Sequence, residues 1–334
     1  MTLVVARILG QRIAIAADTL LTEHDSPLPF QSGVIKSCML PGDICVSFNN
    51  SPELSEIAFS RFVQRYPRGA SFSEVLSYFE DSSRESGNDY LIAFNNPARL
   101  VTIRDGRRIT SISKTTWIGD KEAYEMFREY ESRKRQKPQQ GRAINAALFA
   151  DELSISPASD LFSTMRNLTL DRSLRSVGGF VSVISNRDNG FRFSAYCDML
   201  FDWPDGEDDE YEIAYTDRRS LQTSGENEGY SVAQISPGFM GLNSVAFYFV
   251  KSKTLFLFFG TSYGLANRCK VFQNVNASDI PTTLNDFMGQ DMRWLLLVTG
   301  PRNGGSHVGE TNTIKTPGVQ LAFMVHANTF STIR

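Results

Sequence analysis

Short apolar runs broken by turn residues set the pattern of the first fifty positions. Leu3-Val4-Val5-Ala6 and Ile13-Ala14-Ile15-Ala16-Ala17 flank Gly10-Gln11, an arrangement that predicts a β-hairpin. Gly33-Val34-Ile35-Lys36 predicts a third extended stretch, and residues 43–48 a fourth. From Pro52 the period lengthens. Leu54, Ile57, Ala58, Phe62 and Val63 recur at helical spacing over 52–66. Val75, Leu76 and Phe79 do so over 71–79, ahead of a polar stretch at 81–88. Strands are predicted at 90–94, 99–103 and 108–112, the last two joined through Asp105-Gly106, a strong hairpin turn. Thr116-Trp117-Ile118-Gly119 then leads into a helix through Tyr124, Phe127 and Tyr130. Another helix covers 161–170, and a strand at 177–184 pairs across 186–190 with one at 191–196.

Strands, two helices, strands, two helices and a closing hairpin make an α+β order. The strands read as continuous apolar runs, which is the signature of sheets covered on both faces. An acidic stretch containing Pro and Gly at 201–212 predicts a linker between a domain at 1–200 and a β-rich one at 213–334. The latter has strand-like runs at 244–250, 254–259, 294–298 and 319–325, with room for a helix or two. A length of 334 residues suits two domains. No internal repeat, phosphate-binding glycine loop or zinc-type spacing is present.

Composition narrows the classes. With 41% apolar and 21% charged residues the chain reads as a globular protein in water. A net charge of −3 argues against a nucleic-acid partner, which needs a basic face. No apolar run reaches the length of a membrane-crossing helix, and the first residues lack the pattern of a secretory signal. The cysteines Cys38, Cys45, Cys197 and Cys269 lie in or beside apolar runs without metal spacing, which predicts reduced thiols and a cytoplasmic location.

Thr2, Asp18 and Lys36 carry the candidate chemistry, and with the element order they resemble the proteasome β subunits and their bacterial heat-shock relatives, within the N-terminal nucleophile (Ntn) hydrolases. The family's mature chain begins with Thr and has A-D-x-x-x-T with its Asp sixteen residues on. Ala17-Asp18-Thr19-Leu20-Leu21-Thr22 fits, Asp18 standing sixteen residues after Thr2. Lys36 follows Asp18 by eighteen residues where the family has about sixteen, which places a two-residue insertion within 23–30. Asn49-Asn50 stands at the family's Gly-Gly, and Asp120 at the Ser of its G-S-G turn. Leu174-Arg175-Ser176-Val177-Gly178-Gly179 stands at its D-x-x-S-G-G. The resemblance covers roughly residues 2–200. It implies a four-layer αββα sandwich, threonine-type peptidase activity without cofactor or metal, and a homo-oligomer. Of the aromatics Phe59, Phe62, Tyr66, Phe72, Tyr78 and Phe79 some must face the core, and those left exposed offer a surface for self-association.

A threonine hydroxyl is a weak nucleophile and needs a base within hydrogen-bond reach. An α-amine titrates at about pH 7.7–8, so a terminal threonine carries its own base. Removal of Met1 would expose that amine on Thr2. Lys36 would keep the amine neutral by like-charge proximity and stabilise the alkoxide, while Asp18 would hold Lys36 charged. The resemblance further implies backbone N–H groups of Asn49 or Asn50 as oxyanion donors, the Thr22 backbone as the partner of an extended substrate, and Phe48 as a pocket wall. Asp171, Ser173 and Ser176 are the candidates to replace the family's supporting Asp and Ser. The expected function is a threonine peptidase or amide hydrolase. The alternatives are an inactive proteasome-like assembly or binding protein, and an Ntn amidohydrolase of a small amide.

Other clusters point to less. Arg133, Lys134, Arg135, Lys137 and Arg142 have no interleaved aromatics and read as a solvated helix end and loop. The acidic residues around Asp205 lack the spacing of a calcium loop. His24, His307 and His326 share no motif.

Overall fold

The structure is a computed structural model. It describes residues 2–21, 33–109, 113–134, 144–149, 157–171, 174, 176–187, 190–201, 230–238, 242–249, 252–260, 263–301, 315–316 and 319–325. Thr22, Ser173, the three histidines, Arg135, Lys137, Arg142 and all of 202–229 lie outside the described residues.

The opening hairpin forms as its pattern demands. β1 (Leu3–Leu9) and β2 (Arg12–Asp18) are antiparallel with Val4 opposite Ala17, and residues 13–18 are all buried. The strand expected at 33–36 begins instead at Ser37, as β3 (Ser37–Leu40), which pairs with β4 (Ile44–Phe48). The preceding residues give their backbone elsewhere: Val34 N–H donates to the Thr19 carbonyl at 2.9 Å and Ile35 N–H to the Ala266 carbonyl at 3.2 Å. α1 (Pro52–Arg65) is capped by the Ser51 hydroxyl and has proline in its first turn, where a missing N–H costs nothing. α2 (Phe72–Ser86) starts with a Ser71–Glu74 capping box and ends at Gly87 in the left-handed region. It continues past Phe79 because the polar residues that follow serve its outer face; Arg84 pairs with Asp81 at 2.7 Å.

The helices α1 and α2 turn their rings inward. Phe59, Phe62 and Phe79 are fully buried: between ring centroids, Phe59 meets Phe48 at 6.0 Å, Phe59 and Phe79 meet Tyr90 at 6.4 and 5.0 Å, and Phe62 stacks on Phe79 at 5.4 Å. Tyr66 and Tyr78 pack on the same cluster. Phe59, Phe62 and Phe79 are therefore core and leave the expected self-association surface to half-buried Tyr66 and Tyr78 and to Phe72, which is 40% exposed.

Downstream come β5 (Tyr90–Phe94), β6 (Arg99–Arg104), β7 (Arg107–Ile109), β8 (Thr115–Gly119), α3 (Lys121–Lys134), β9 (Ile144–Phe149), α4 (Pro157–Leu170) and β10 (Val181–Arg187). The single strand expected at 191–196 is two: β11 (Gly190–Phe193), which stays beside β10, and β12 (Tyr196–Phe201), which leaves for another sheet. Ser194 pins the bend between them, its N–H to the Val183 carbonyl at 2.9 Å and its hydroxyl to Ser185 at 2.8 Å. The rest of the chain adds β13 (Tyr230–Pro237), β14 (Ser244–Phe249), β15 (Thr254–Phe259), β16 (Arg268–Phe272), α5 (Ile280–Met288), β17 (Trp294–Pro301), β18 (Lys315–Thr316) and β19 (Val319–Val325).

The fold is mixed α and β with three antiparallel sheets among the described residues. The first runs β11-β10-β2-β1-β8 and the second β3-β4-β5-β6-β7. α4 lies on β1, β2 and β10, with α3 against it, while α1 and α2 lie on the second sheet. The two sheets meet through β1, β5, β6 and β8. The third sheet runs β16-β15-β14-β13-β17-β19-β18, with β12 also on β13 and β9 on β12. It therefore takes strands from both sides of 201–212, and that stretch is no seam in the hydrogen bonding. The core is shared as well. Phe180 stacks on Phe247 at 4.2 Å, and buried Gln234 bonds the Val183 N–H, the Val183 carbonyl and the Ser194 carbonyl at 2.6–3.1 Å.

Candidate active site

Asp18 ends β2 beside the start of β1, and its carboxylate gathers the site. Oδ1 accepts the Thr2 hydroxyl at 2.8 Å and the Leu3 N–H at 3.0 Å. Oδ2 accepts the Lys36 ammonium at 2.8 Å, with the Leu20 N–H at 3.2 Å and the Gly178 N–H at 3.3 Å. The Lys36 ammonium also donates to the Leu20 carbonyl at 2.8 Å. Thr2, Asp18 and Lys36 thus converge through Asp18, all three buried to 3% exposure or less. Burial pushes the Lys36 ammonium below its ordinary range; the Asp18 charge and hydrogen bond pull the other way without offsetting it. A buried pair of this kind persists because its remaining hydrogen-bonding capacity is filled, here by backbone groups.

Two glycine turns hold the flanks. Gly119 ends β8 at φ +108, and a Cβ there would run into the Thr2 carbonyl oxygen. That carbonyl accepts the Asp120 N–H at 2.7 Å. Gly178 returns its own carbonyl to the N–H groups of Thr19 and Leu20, both at 3.2 Å, while the Thr19 hydroxyl accepts the Phe180 N–H at 2.8 Å. Asp120 begins α3 by accepting from the Glu122 and Ala123 N–H groups at 2.8 and 3.3 Å. Partial burial alone would raise its carboxyl, but the Ser176 hydroxyl and those two amides outweigh it and hold it below the usual carboxylate range. The Asp120–Ser176 bond joins the turn that anchors Thr2 to the turn that anchors Asp18.

The other predicted residues fall unevenly. The Asn49 N–H is taken by the Asp89 carbonyl at 3.2 Å, and its side chain is tied to Asp89, so Asn49 is not free as an oxyanion donor. Asn50 sits in the left-handed region at φ +60, its side chain held on the Gly87 carbonyl at 2.8 Å. Its N–H bonds nothing among the described residues. Phe48 is 1% exposed and packed edge-on against Phe59, so it is a core residue. Of the supporting candidates, Ser176 reaches the site through Asp120, whereas Asp171 accepts the Tyr130 hydroxyl at 2.6 Å. The Leu20 carbonyl and the Gly178 N–H escaped sequence reasoning because backbone groups leave no residue signature. Among the described residues no group of three or more His, Cys, Asp or Glu is arranged to hold a metal, and no helix is long and apolar enough to cross a membrane.

No protein-family model matches this chain. No curated protein matches it either. Among solved structures, eukaryotic HslV from Trypanosoma brucei overlays at 11% identity and a TM-score of 0.39, covering 55% of this chain and 98% of that one. The Gly-1 mutant of Anbu from Hyphomicrobium sp. strain MC1 overlays at 15% identity and a TM-score of 0.43, covering 66% and 96%. Both overlays are low in identity and partial for this chain, and neither assigns a family.

Proposed function

We propose that this chain is a threonine-dependent amide hydrolase of the proteasome-like Ntn type, acting on a peptide or smaller amide once Met1 is removed. The observation that carries the reading is the buried Asp18 carboxylate, which takes the Thr2 hydroxyl and the Lys36 ammonium at 2.8 Å each. The order α3 and α4, first sheet, second sheet, α1 and α2 supports a four-layer αββα sandwich for this part of the chain.

In this mechanism the freed α-amine of Thr2 accepts the hydroxyl proton, and Oγ bonds to the amide carbonyl carbon. The charged Lys36 stabilises the alkoxide, and Asp18 keeps both groups in register. The oxyanion is met by the Asn50 N–H, a contribution worth about 3 kcal/mol in comparable sites. Collapse breaks the C–N bond, the amine leaves with the proton held on the α-ammonium, and an ester on Thr2 remains. Water then attacks that ester with the α-amine again as base.

Amide turnover by full-length protein tests the reading. Thr2→Ala is expected to abolish it, Lys36→Ala to lower it by about 10²–10⁴-fold, the range of a proton-handling group, and Thr2→Ser to retain part of it. Undiminished turnover by Thr2→Ala would assign the chemistry elsewhere.

A further inference from the structure

The apolar cluster that flanks Lys36 takes in a residue from far along the chain. Along the Lys36 segment, Val34 and Cys38 belong to the core under α1 and α2, whereas Ile35 and Met39 belong to the opposite one. Lys36 stands two positions from each of Val34 and Cys38, and its ammonium rests on the Leu20 carbonyl at 2.8 Å. The Lys36 carbonyl accepts the Phe48 N–H at 3.1 Å, and Leu21, next to the Leu20 carbonyl that holds the ammonium, packs on the same cluster. One residue from the far part of the chain enters here. Leu265, in the loop between β15 and β16, is 1% exposed and joins Val34, Phe48 and Phe59.

Its loop is strapped down at three points. The Ala266 carbonyl accepts the Ile35 N–H at 3.2 Å, and the Tyr263 carbonyl accepts the Cys38 thiol at 3.4 Å. Asn267 donates to the Glu56 carboxylate of α1 at 2.6 Å. The strap therefore spans the Lys36 segment and the first turns of α1, with Leu265 buried in the cluster that holds Val34, Cys38 and Phe48.

We propose that Leu265 is a specificity-determining residue: from the 263–267 strap it plugs the apolar cluster beside Lys36 and limits the residue on the acyl side of the cleaved bond to the size of glycine or alanine. The catalytic consequence rests on the amide-hydrolase reading; the plug itself does not. Truncating a buried leucine leaves an apolar cavity, and such cavities take up apolar groups of matching size.

The test uses the full-length chain carrying Thr2→Ala, so that no hydrolysis occurs, with and without Leu265→Ala. Calorimetric titration compares N-acetylated tripeptide amides ending in alanine or in leucine. Leu265→Ala is expected to raise the preference for leucine by about tenfold or more, in line with burial of the extra methylene-sized groups. Leu265→Val is expected to shift it the same way by less, and it serves if the alanine variant melts too low to titrate. Folded variants with no gain in leucine preference overturn the proposal. With Thr2 intact, Leu265→Ala is expected to move kcat/KM toward leucyl amides. A gain in leucine binding without turnover by any Thr2-containing chain would leave the plug standing and remove the hydrolase reading.

Discussion

Lys36 is the residue whose titration exposes the site. The folded chain releases its proton below the ordinary value of 10.5, chiefly because it is buried. Between the folded value and 10.5 the unfolded chain binds more protons, so stability rises with pH across that window and falls back as pH drops through the folded value. Urea unfolding from pH 7 upward is expected to show this rise in the parent chain and to lack it in Lys36→Met. Equal slopes in the two proteins would mean that Lys36 is not destabilised by burial. The alkaline limb of activity is likewise expected below 10.5, since the mechanism uses the charged form. At this scale much was legible. The spacing of Thr2, Asp18 and Lys36 named side chains that meet in space; a hairpin fixes Thr2 against Asp18, and Lys36 reaches Asp18 from outside it. Asn49 was misjudged because nothing in the sequence pairs it with Asp89, forty positions away.

The Gly119–Asp120 and Gly178–Gly179 turns, at the ends of β8 and the start of β10, clasp the hairpin that carries Thr2. Replacing Gly119 by alanine adds a Cβ against the Thr2 carbonyl and forces an L-residue to φ +108. Thermal unfolding is expected to report a loss of about 1–3 kcal/mol, with turnover falling alongside, whereas Gly10→Ala, in a turn open to space, is expected to spare turnover. Equal turnover in Gly119→Ala and the parent would sever that turn from the site. Helices and hairpins were readable wherever local pattern decides them, as in α1 with its Ser51 cap. β3 and β12 were misplaced because their bounds are set by distant partners. Ala266 takes the Ile35 N–H, and β13 draws the chain out of the first sheet after Ser194.

The molecule as a whole is more interlocked than its composition suggests. Phe247, Phe256 and Phe258, all beyond the acidic stretch, share one core with Phe180 and the opening hairpin. Burying each such ring contributes roughly 1.5–3 kcal/mol, a large part of a typical net stability. A chain ending at residue 212 is therefore expected to lack a cooperative urea transition that the full chain shows. A truncated protein unfolding with the parent's midpoint would restore two independent domains. The composition shift at 201–212 reads as a boundary, but strands from both sides of it share the third sheet, so composition alone does not separate two domains.

The nucleophile itself is the central claim. Full-length protein incubated with a peptidyl activated ester of alanine and quenched in acid can be read by intact mass and peptide mapping. The expected result is a chain without Met1 bearing one hydroxylamine-labile acyl group on Thr2, and no such group in Thr2→Ala. Retained Met1, or the same acyl group on the Thr2→Ala chain, would contradict it.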